Sequence, residues 1–373
     1  MRTAFVYSDE FTRFDYGPEH PLKPFRLKLT YELIKACGLL ARSDRRVIEA
    51  PMADVAELLS FHTRDYLDML KAVNSGKPAA GAGAYGLGPG DNPIFAGVLD
   101  GSRLVAGASL LAASLVASNK ADIAFNISGG LHHAMASRAS GFCYINDAVL
   151  AIQWLVKQGK RVAYIDIDAH HGDGVQAAFY DTDRVLTISL HETGAALFPG
   201  TGFEDETGAG VGKGYSVNVP LPPESDDEVF LFAFNAVVPG LVNSFKPDII
   251  VSQLGVDTFR GDPLAHLNYT TQGFCTAVQT IKAMAPKWLA LGGGGYDLAN
   301  VARAWTLAWA IMNDVEVADE IPGEFLRQYG SAGFAEGKLR DKPFTRTDAR
   351  KEKMLKEAAR VTEYIKKNLL PND

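Results

Sequence analysis

Cysteine is scarce in this chain: Cys37, Cys143 and Cys275 are the only three among 373 residues. An odd number with no CxxC spacing supports neither a disulfide framework nor a thiolate zinc knuckle, and points to a reducing compartment. Basic charge is also short, with 37 Lys and Arg against 44 Asp and Glu and a net charge of -7. Such a chain has no electrostatic footprint for a nucleic-acid backbone, although an acidic surface weakly attracts a cationic ligand. The start, MRTAFVYSDE, has no apolar run of signal-peptide length. No apolar stretch of the roughly 18 residues that a spanning helix needs is found anywhere, so no membrane span is expected. A cytoplasmic protein is expected, with neither nucleic acid nor membrane as partner. No Pro/Ser/Gly linker divides the chain, and the Gly/Ala-rich piece Gly76–Gly90 reads as a surface loop. A single domain over residues 1–373 is expected, where length alone would suggest two or three.

Hydrophobic residues make up 47% of the chain, enough for a large core. Short apolar runs read as buried strands at Thr3–Tyr7, Ile123–Asn126, Val162–Asp166, Val185–Leu190, Ile249–Gln253 and Trp288–Leu291. Stretches of helical period lie between most of them: Phe25–Ala36, Gly101–Ala117, Asn146–Gln158, Asp226–Phe245, Thr271–Ala283 and Ala299–Met312. This alternation predicts an α/β fold, an open and mostly parallel sheet with helices on both faces. Ligands in such folds gather at the carboxyl ends of the strands. The charged run Arg350–Leu369 reads as a helix with a solvated face. Two glycine patterns, GAGAYG at Gly81–Gly86 and GAGVGKG at Gly208–Gly214, fail the context tests for dinucleotide and phosphate loops and read as turns.

The densest chemistry is YIDIDAHHGDG at Tyr164–Gly174, where an apolar strand runs into Asp166, Asp168, His170, His171 and Asp173. Buried polar groups at this density need a counter-charge, and a divalent cation would supply one. Asp168 and His170 offer an oxygen and a nitrogen. Asp257, in SQLGVDTFRGDP, is the candidate third ligand; standing alone it reads equally well as a helix cap. Two carboxylates and one imidazole leave coordination positions open for catalysis, and the hardness of the set makes Fe(II) a competitor to Zn(II). In NISGGLHHAMASRASGFCYIND, Asn126–Asp147, the pair His132–His133 follows a strand and two glycines. A neutral imidazole there could act as a general base, with Asp166 and Asp173 as orienting carboxylates. In GGGGY, Gly292–Tyr296, the tyrosine could stabilise an oxyanion or merely cap the next helix.

Together these segments resemble the histone deacetylase family, near its class I members and the bacterial acetoin-utilisation deacetylases. The likeness runs in order through HPLKPFRL (His20–Leu27), GGLHHA, SGFCYINDA, YIDIDAHHGDGVQ, FPGTG, LGVDTFRGDP and GGGGYDLANVARAWT (Gly292–Thr306). The resemblance implies an arginase–deacetylase type of fold for one deacetylase domain, and a metal-dependent hydrolase that frees lysine from its acyl group. It implies Asp168, His170 and Asp257 as ligands of Zn(II), with Fe(II) as the competing ion. It makes His133 with Asp173 the general base and acid, His132 with Asp166 a charged aid, and Tyr296 the oxyanion donor. Gly141, Phe142, Phe198, Leu264 and the rim acid Asp91 are implied in substrate binding, and Arg26 in an inner acetate cavity. A structural potassium ion is implied near Asp166, Asp168, His170, Ser189 and Leu190.

Three rival readings remain. A two-metal ureohydrolase would need DAHxD and DxDxxDP, where this chain has DAHHGD and GVDTFRGD. An acetylpolyamine hydrolase, acting on a small acylated amine rather than an acylated protein, shares the chemistry. A binding module without activity is at odds with filled catalytic positions. Nuclear relatives hold an inositol polyphosphate against a corepressor. Here Lys23 and Arg303 match two basic positions of that pocket, but Asp15, Glu19 and Pro263 replace the rest, so neither partner is expected.

Overall fold

A computed structural model describes residues 1–40 and 45–369. Among the described residues eight strands form one parallel sheet: β1 (Thr3–Tyr7), β2 (Arg45–Glu49), β3 (Ile123–Asn126), β4 (Val162–Asp166), β5 (Val185–Glu192), β6 (Ser216–Leu221), β7 (Ile249–Gln253) and β8 (Trp288–Leu291). Their spatial order is β2-β1-β3-β8-β7-β4-β5-β6. The last strand in sequence is therefore inserted near the middle of the sheet. Strands β3, β4, β5, β7 and β8 are buried along their whole length, which is why they read as continuous apolar runs rather than alternating ones.

The helices are α1 (Phe25–Ala36), α2 (Val55–Leu58), α3 (Arg64–Val73), α4 (Val98–Ala117), α5 (Asp147–Lys157), α6 (Asp173–Phe179), α7 (Asp227–Phe245), α8 (Thr271–Met284), α9 (Leu298–Met312), α10 (Gly323–Tyr329) and α11 (Ala349–Asn368). Helices α1, α9, α8, α7 and α11 pack side by side in that order, and α4, α5 and α6 form a second group. Three tryptophans are fully buried, each with its indole N–H satisfied: Trp288 by the Ser252 hydroxyl, Trp305 by the Leu254 carbonyl and Trp309 by the Leu39 carbonyl.

Three sequence expectations need correction. Strands β2 and β6, the two edges of the sheet, are not announced by apolar runs. RRVIE is charged, with Arg46, Val47 and Glu49 exposed, and SVNVPL carries Pro220, which an edge strand tolerates. Helix α11 is more than a solvated face. Met354, Ala358, Val361 and Ile365 recur at helical spacing and are buried against α7 and β6. Finally, α4 and α7 are long and apolar enough to cross a membrane by length and composition alone, contrary to the expectation that no such stretch exists. Both pack in the core: α4 against β1, β3, β8 and α5, and α7 against β5, α8 and α11.

Candidate active site

Four neighbouring strands, β3, β8, β7 and β4, present their carboxyl ends together, and the loop after each supplies part of one cluster. After β4 the backbone leaves the extended conformation. Asp166 then turns to the histidine pair, while Asp168 and His170 face the loop after β7. There Asp257 lies beyond the strand end with its Oδ1 accepting from the Ala169 N–H at 2.9 Å, so it is not a helix cap. His170 Nδ1 sits 3.2 Å from Asp168 Oδ1 and 2.9 Å from Asp257 Oδ2. One ligand atom from each of Asp168, His170 and Asp257 falls within 4.8 Å of the others, and all three residues are buried.

The surroundings keep this cradle open. A β-carbon at Gly294 would lie 2.1 Å from Asp257 Oδ2 and 2.8 Å from Asp168 Oδ2, and one at Gly255 would lie 2.1 Å from Asp168 Oδ2. Asp168 Oδ2 is further oriented by the Gln253 amide at 2.6 Å and the Gly294 N–H at 2.7 Å. Two buried carboxylates converging on one imidazole, with oriented outer contacts and glycines where bulk would intrude, fit a divalent ion of the zinc or ferrous class.

Beside the cradle stand two His–Asp dyads. His132 Nδ1 is 2.8 Å from Asp166 Oδ2, His133 Nδ1 is 2.7 Å from Asp173 Oδ1, and the two Nε2 atoms are 3.1 Å apart. Burial alone would lower the His132 pKa, but the charges of Asp166 and Asp168 and the bond to Asp166 push it up to about 9. For His133, burial and the neighbouring His132 charge outweigh the Asp173 bond and hold it down to about 4. At neutral pH His132 is therefore a cation able to donate through both nitrogens. His133 keeps its proton on Nδ1, donated to Asp173, which leaves Nε2 as a base.

Tyr296 is half-buried, and its neighbour Asp297 caps α9 by accepting from the Asn300 N–H, so the tyrosine is not the cap. Its hydroxyl has no hydrogen-bond partner among the described residues. Burial and the charges of Asp257 and Asp168 raise its pKa, so it stays a proton donor. It lines a cavity of about 300 Å³ with His132, His133, Asp168, His170 and Phe142. The Phe142 ring stands edge-on to Tyr296 at 5.7 Å, and the Phe198 ring edge-on to His133 at 5.0 Å. Gly141 allows the Phe198 approach, since a β-carbon there would meet His133 at 2.5 Å and Phe198 at 2.9 Å. Asp91 is exposed; its carbonyl lies 3.2 Å from His20 Nε2, and the His20 ring packs on Phe142. Arg26 is buried and donates to the carbonyls of Gly293 and Gly295, bracing the glycine loop. With Leu22 and Leu131 it also lines a second, mostly apolar cavity of about 560 Å³. Parallel pairing of Asp166 with Ser189 brings Ser189 and Leu190 beside the Asp166–His170 segment.

Several supporting residues escape sequence reading. Asp147 accepts from the N–H groups of Gly130 and Leu131, and the Asn146 amide donates to the carbonyls of His132 and Ala134, so both hold the histidine segment. Asp262 accepts from the N–H groups of Tyr296 and Leu264, tying these two segments together. Buried Glu192 binds the ring and N–H of His266, two residues further on. Gln253 alone had a readable signal, a polar residue ending a buried strand as Asp166 does. His62 had none. It is buried, with Nε2 accepting from the Asn146 N–H at 3.1 Å and Nδ1 3.3 Å from the Ala136 carbonyl.

Burial holds the His62 pKa down to about 4, against its backbone hydrogen bonds. In the unfolded chain it titrates near 6.5. As pH falls, the unfolded state therefore takes up the proton first. His62 costs no stability above about pH 6.5, a growing amount between 6.5 and 4, and a constant ~3 kcal/mol below that. Denaturant titrations across this range should show a shallower loss of stability for His62→Gln than for the wild type. Equal slopes would remove His62 from the account.

With this geometry in view, comparison with known proteins is decisive. A family profile described as "Histone deacetylase domain" matches residues 20–312. The chain belongs to the histone deacetylase family. Within it, the chain is 43% identical over 338 residues to Histone deacetylase B of Dictyostelium discoideum, covering 89% of this chain and 79% of that one. It is 42% identical over 332 residues to the acetoin utilization protein AcuC of Bacillus subtilis, covering 87% and 85%. It is 39% identical over 333 residues to human Histone deacetylase 1, covering 88% and 68%. Among solved structures it superimposes on a histone deacetylase homolog from Aquifex aeolicus with a TM-score of 0.87 and 35% identity, covering 96% of this chain and 100% of that one. The parallel-sheet architecture of this deacetylase family is thus the architecture found here.

Proposed function

We propose that this family member is a metal-dependent lysine deacylase, hydrolysing the amide of Nε-acyl-lysine in proteins to lysine and a carboxylate. The observation that carries this reading is the convergence in one small cavity of the unprotonated His133 Nε2, the cationic His132, the unpartnered Tyr296 hydroxyl and the buried Asp168–His170–Asp257 cradle. Asp168, His170 and Asp257 would hold the ion, which when bound would polarise the acyl carbonyl and acidify water. His133 Nε2 accepts the proton of the attacking water as the carbon–oxygen bond forms, and returns a proton to the amine as the carbon–nitrogen bond breaks. Asp173 holds the His133 ring in the tautomer this needs. The charge of His132 and the Tyr296 hydroxyl stabilise the oxyanion. Phe142 and Phe198 would wall the lysine stem, with Gly141 making room, Leu264 at the mouth and Asp91 at the rim. Arg26 would face the released acid.

Zn(II) is the ion proposed, with Fe(II) as competitor because of the two carboxylates, and K(+) as a structural ion at the adjoining ends of β4 and β5. The cysteine content supports a cytoplasmic location. Lys23 donates to the carbonyls of Gly17 and Pro18, and Arg303 pairs with Asp341 at 2.7 Å, so both pocket cations are occupied; this supports action without an inositol phosphate or a corepressor. Acyl-lysine peptides and acetylated polyamines should be compared with Zn(II) or Fe(II) restored after chelation. Metal-restored turnover of the peptides is expected. Turnover of polyamines alone would make the protein a small-amine hydrolase instead.

A further inference from the structure

A groove of about 980 Å³ adjoins the catalytic cavity, joined to it through the contacts that its Phe198 and Asp173 make with His133. Phe198 and Pro199 line it, together with Met135, Arg138 and Ser140 from the segment that follows the histidine pair. Phe198 is the junction: its ring touches His133 edge-on, and 43% of the residue is exposed. The two carboxylates lining the groove are both engaged. Asp173 is bonded to His133 at 2.7 Å, while Glu206 accepts from Gln176 at 2.6 Å and from the N–H groups of Gly202 and Phe203. The cation of the groove is not. Arg138 is exposed, and its guanidinium has no ion-pair or hydrogen-bond partner among the described residues.

We propose that this groove receives the polypeptide flanking an acyl-lysine, and that Arg138 selects substrates carrying an acidic side chain there. The inference rests on the deacylase reading and narrows its substrate class. A lysine stem seated beside Phe198 brings its own main chain to the groove, whereas a small acylated amine has nothing to place in it. A flanking Glu or Asp would meet the Arg138 guanidinium, which is free of internal partners, and a flanking Lys would be repelled by it; Asp173 and Glu206, hydrogen-bonded to uncharged donors but not neutralised by them, reduce this contrast without supplying a partner to Arg138. The pair would be exposed to water, so its effect is modest and salt-dependent.

Acetyl-lysine peptides with Glu, Ala or Lys scanned through the flanking positions test this, using wild type and Arg138→Glu at low and high salt. The readout is the ratio of kcat/KM between peptides within each protein, so any general effect of the substitution on folding or catalysis cancels. Wild type should favour Glu over Lys at one or more flanking positions by roughly two- to fivefold, the scale of an exposed ion pair. The preference should fade at high salt and invert in Arg138→Glu. No preference in wild type, or the same preference in both proteins, would overturn the proposal. Loss of turnover on every acyl substrate, peptides and amines alike, would overturn the deacylase reading and the inference with it.

Discussion

Asp257→Ala is expected to lose both its divalent ion and its turnover while remaining folded. Asp257 and Asp168 are buried carboxylates converging on one imidazole, and without a cation burial and the Asp168 charge push the Asp257 carboxyl up. Removing one carboxylate relieves that repulsion, so the fold should survive. The remaining Asp168 and His170 are only two of the three groups of the cradle. A loss of metal affinity of roughly a hundredfold or more is expected, at or above the scale for losing a residue that merely orients a ligand. Gly294→Ala offers an independent test, because it keeps all three ligands but drives a methyl group to 2.1 Å from Asp257 Oδ2. Metal content after dialysis against a weak chelator, measured beside turnover, should fall in both variants. Wild-type turnover by Asp257→Ala after exhaustive chelation would overturn the ligand assignment.

Tyr296→Phe and His133→Ala should damage turnover in different ways. The Tyr296 hydroxyl has no internal partner, and burial with the nearby carboxylates keeps it protonated. In the proposed mechanism it donates to charge that develops only in the transition state. Losing such a donor costs about a hundredfold or more in kcat, or ~2.7 kcal/mol, with the shape of the pH profile retained. In the same mechanism His133 moves protons, so His133→Ala should cost at least as much and should also change the pH profile. Steady-state kinetics on an unactivated acetyl-lysine peptide would decide it. Wild-type kcat in Tyr296→Phe, or a wild-type pH profile in His133→Ala, would contradict these roles.

The legibility of the chain follows its burial. Runs such as VAYID and IIVSQ are apolar throughout because both faces of the sheet are covered, and their polar ends stand out against that background. That contrast exposed Asp166 and Asp168; Gln253 carries the same signal but was not among the candidates. The edge strands RRVIE and SVNVPL lack this contrast for different reasons: the first is exposed over Arg46, Val47 and Glu49, while the second is buried but its apolar run is broken by Ser216, Asn218 and Pro220. Asp147, Asp262 and His62 were invisible for a different reason. A carboxylate that accepts two main-chain N–H groups looks, in sequence, like any acidic residue near a turn.

The amino-acid sequence by itself determined the chemistry available: which carboxylates, imidazoles and tyrosine lie just beyond strand ends, and that strands alternate with helices. Only the tertiary structure decided how they meet. The groups come from loops after the third, fourth, seventh and eighth strands, and the sheet places those strands side by side in the order β3-β8-β7-β4. Periodicity along a chain reports which faces are buried, whereas strand order is set by the packing of whole elements against one another. The same holds for the charges. His132 and His133 are identical neighbours in sequence, and only their separate carboxylates and shared burial make one a cation and the other a base.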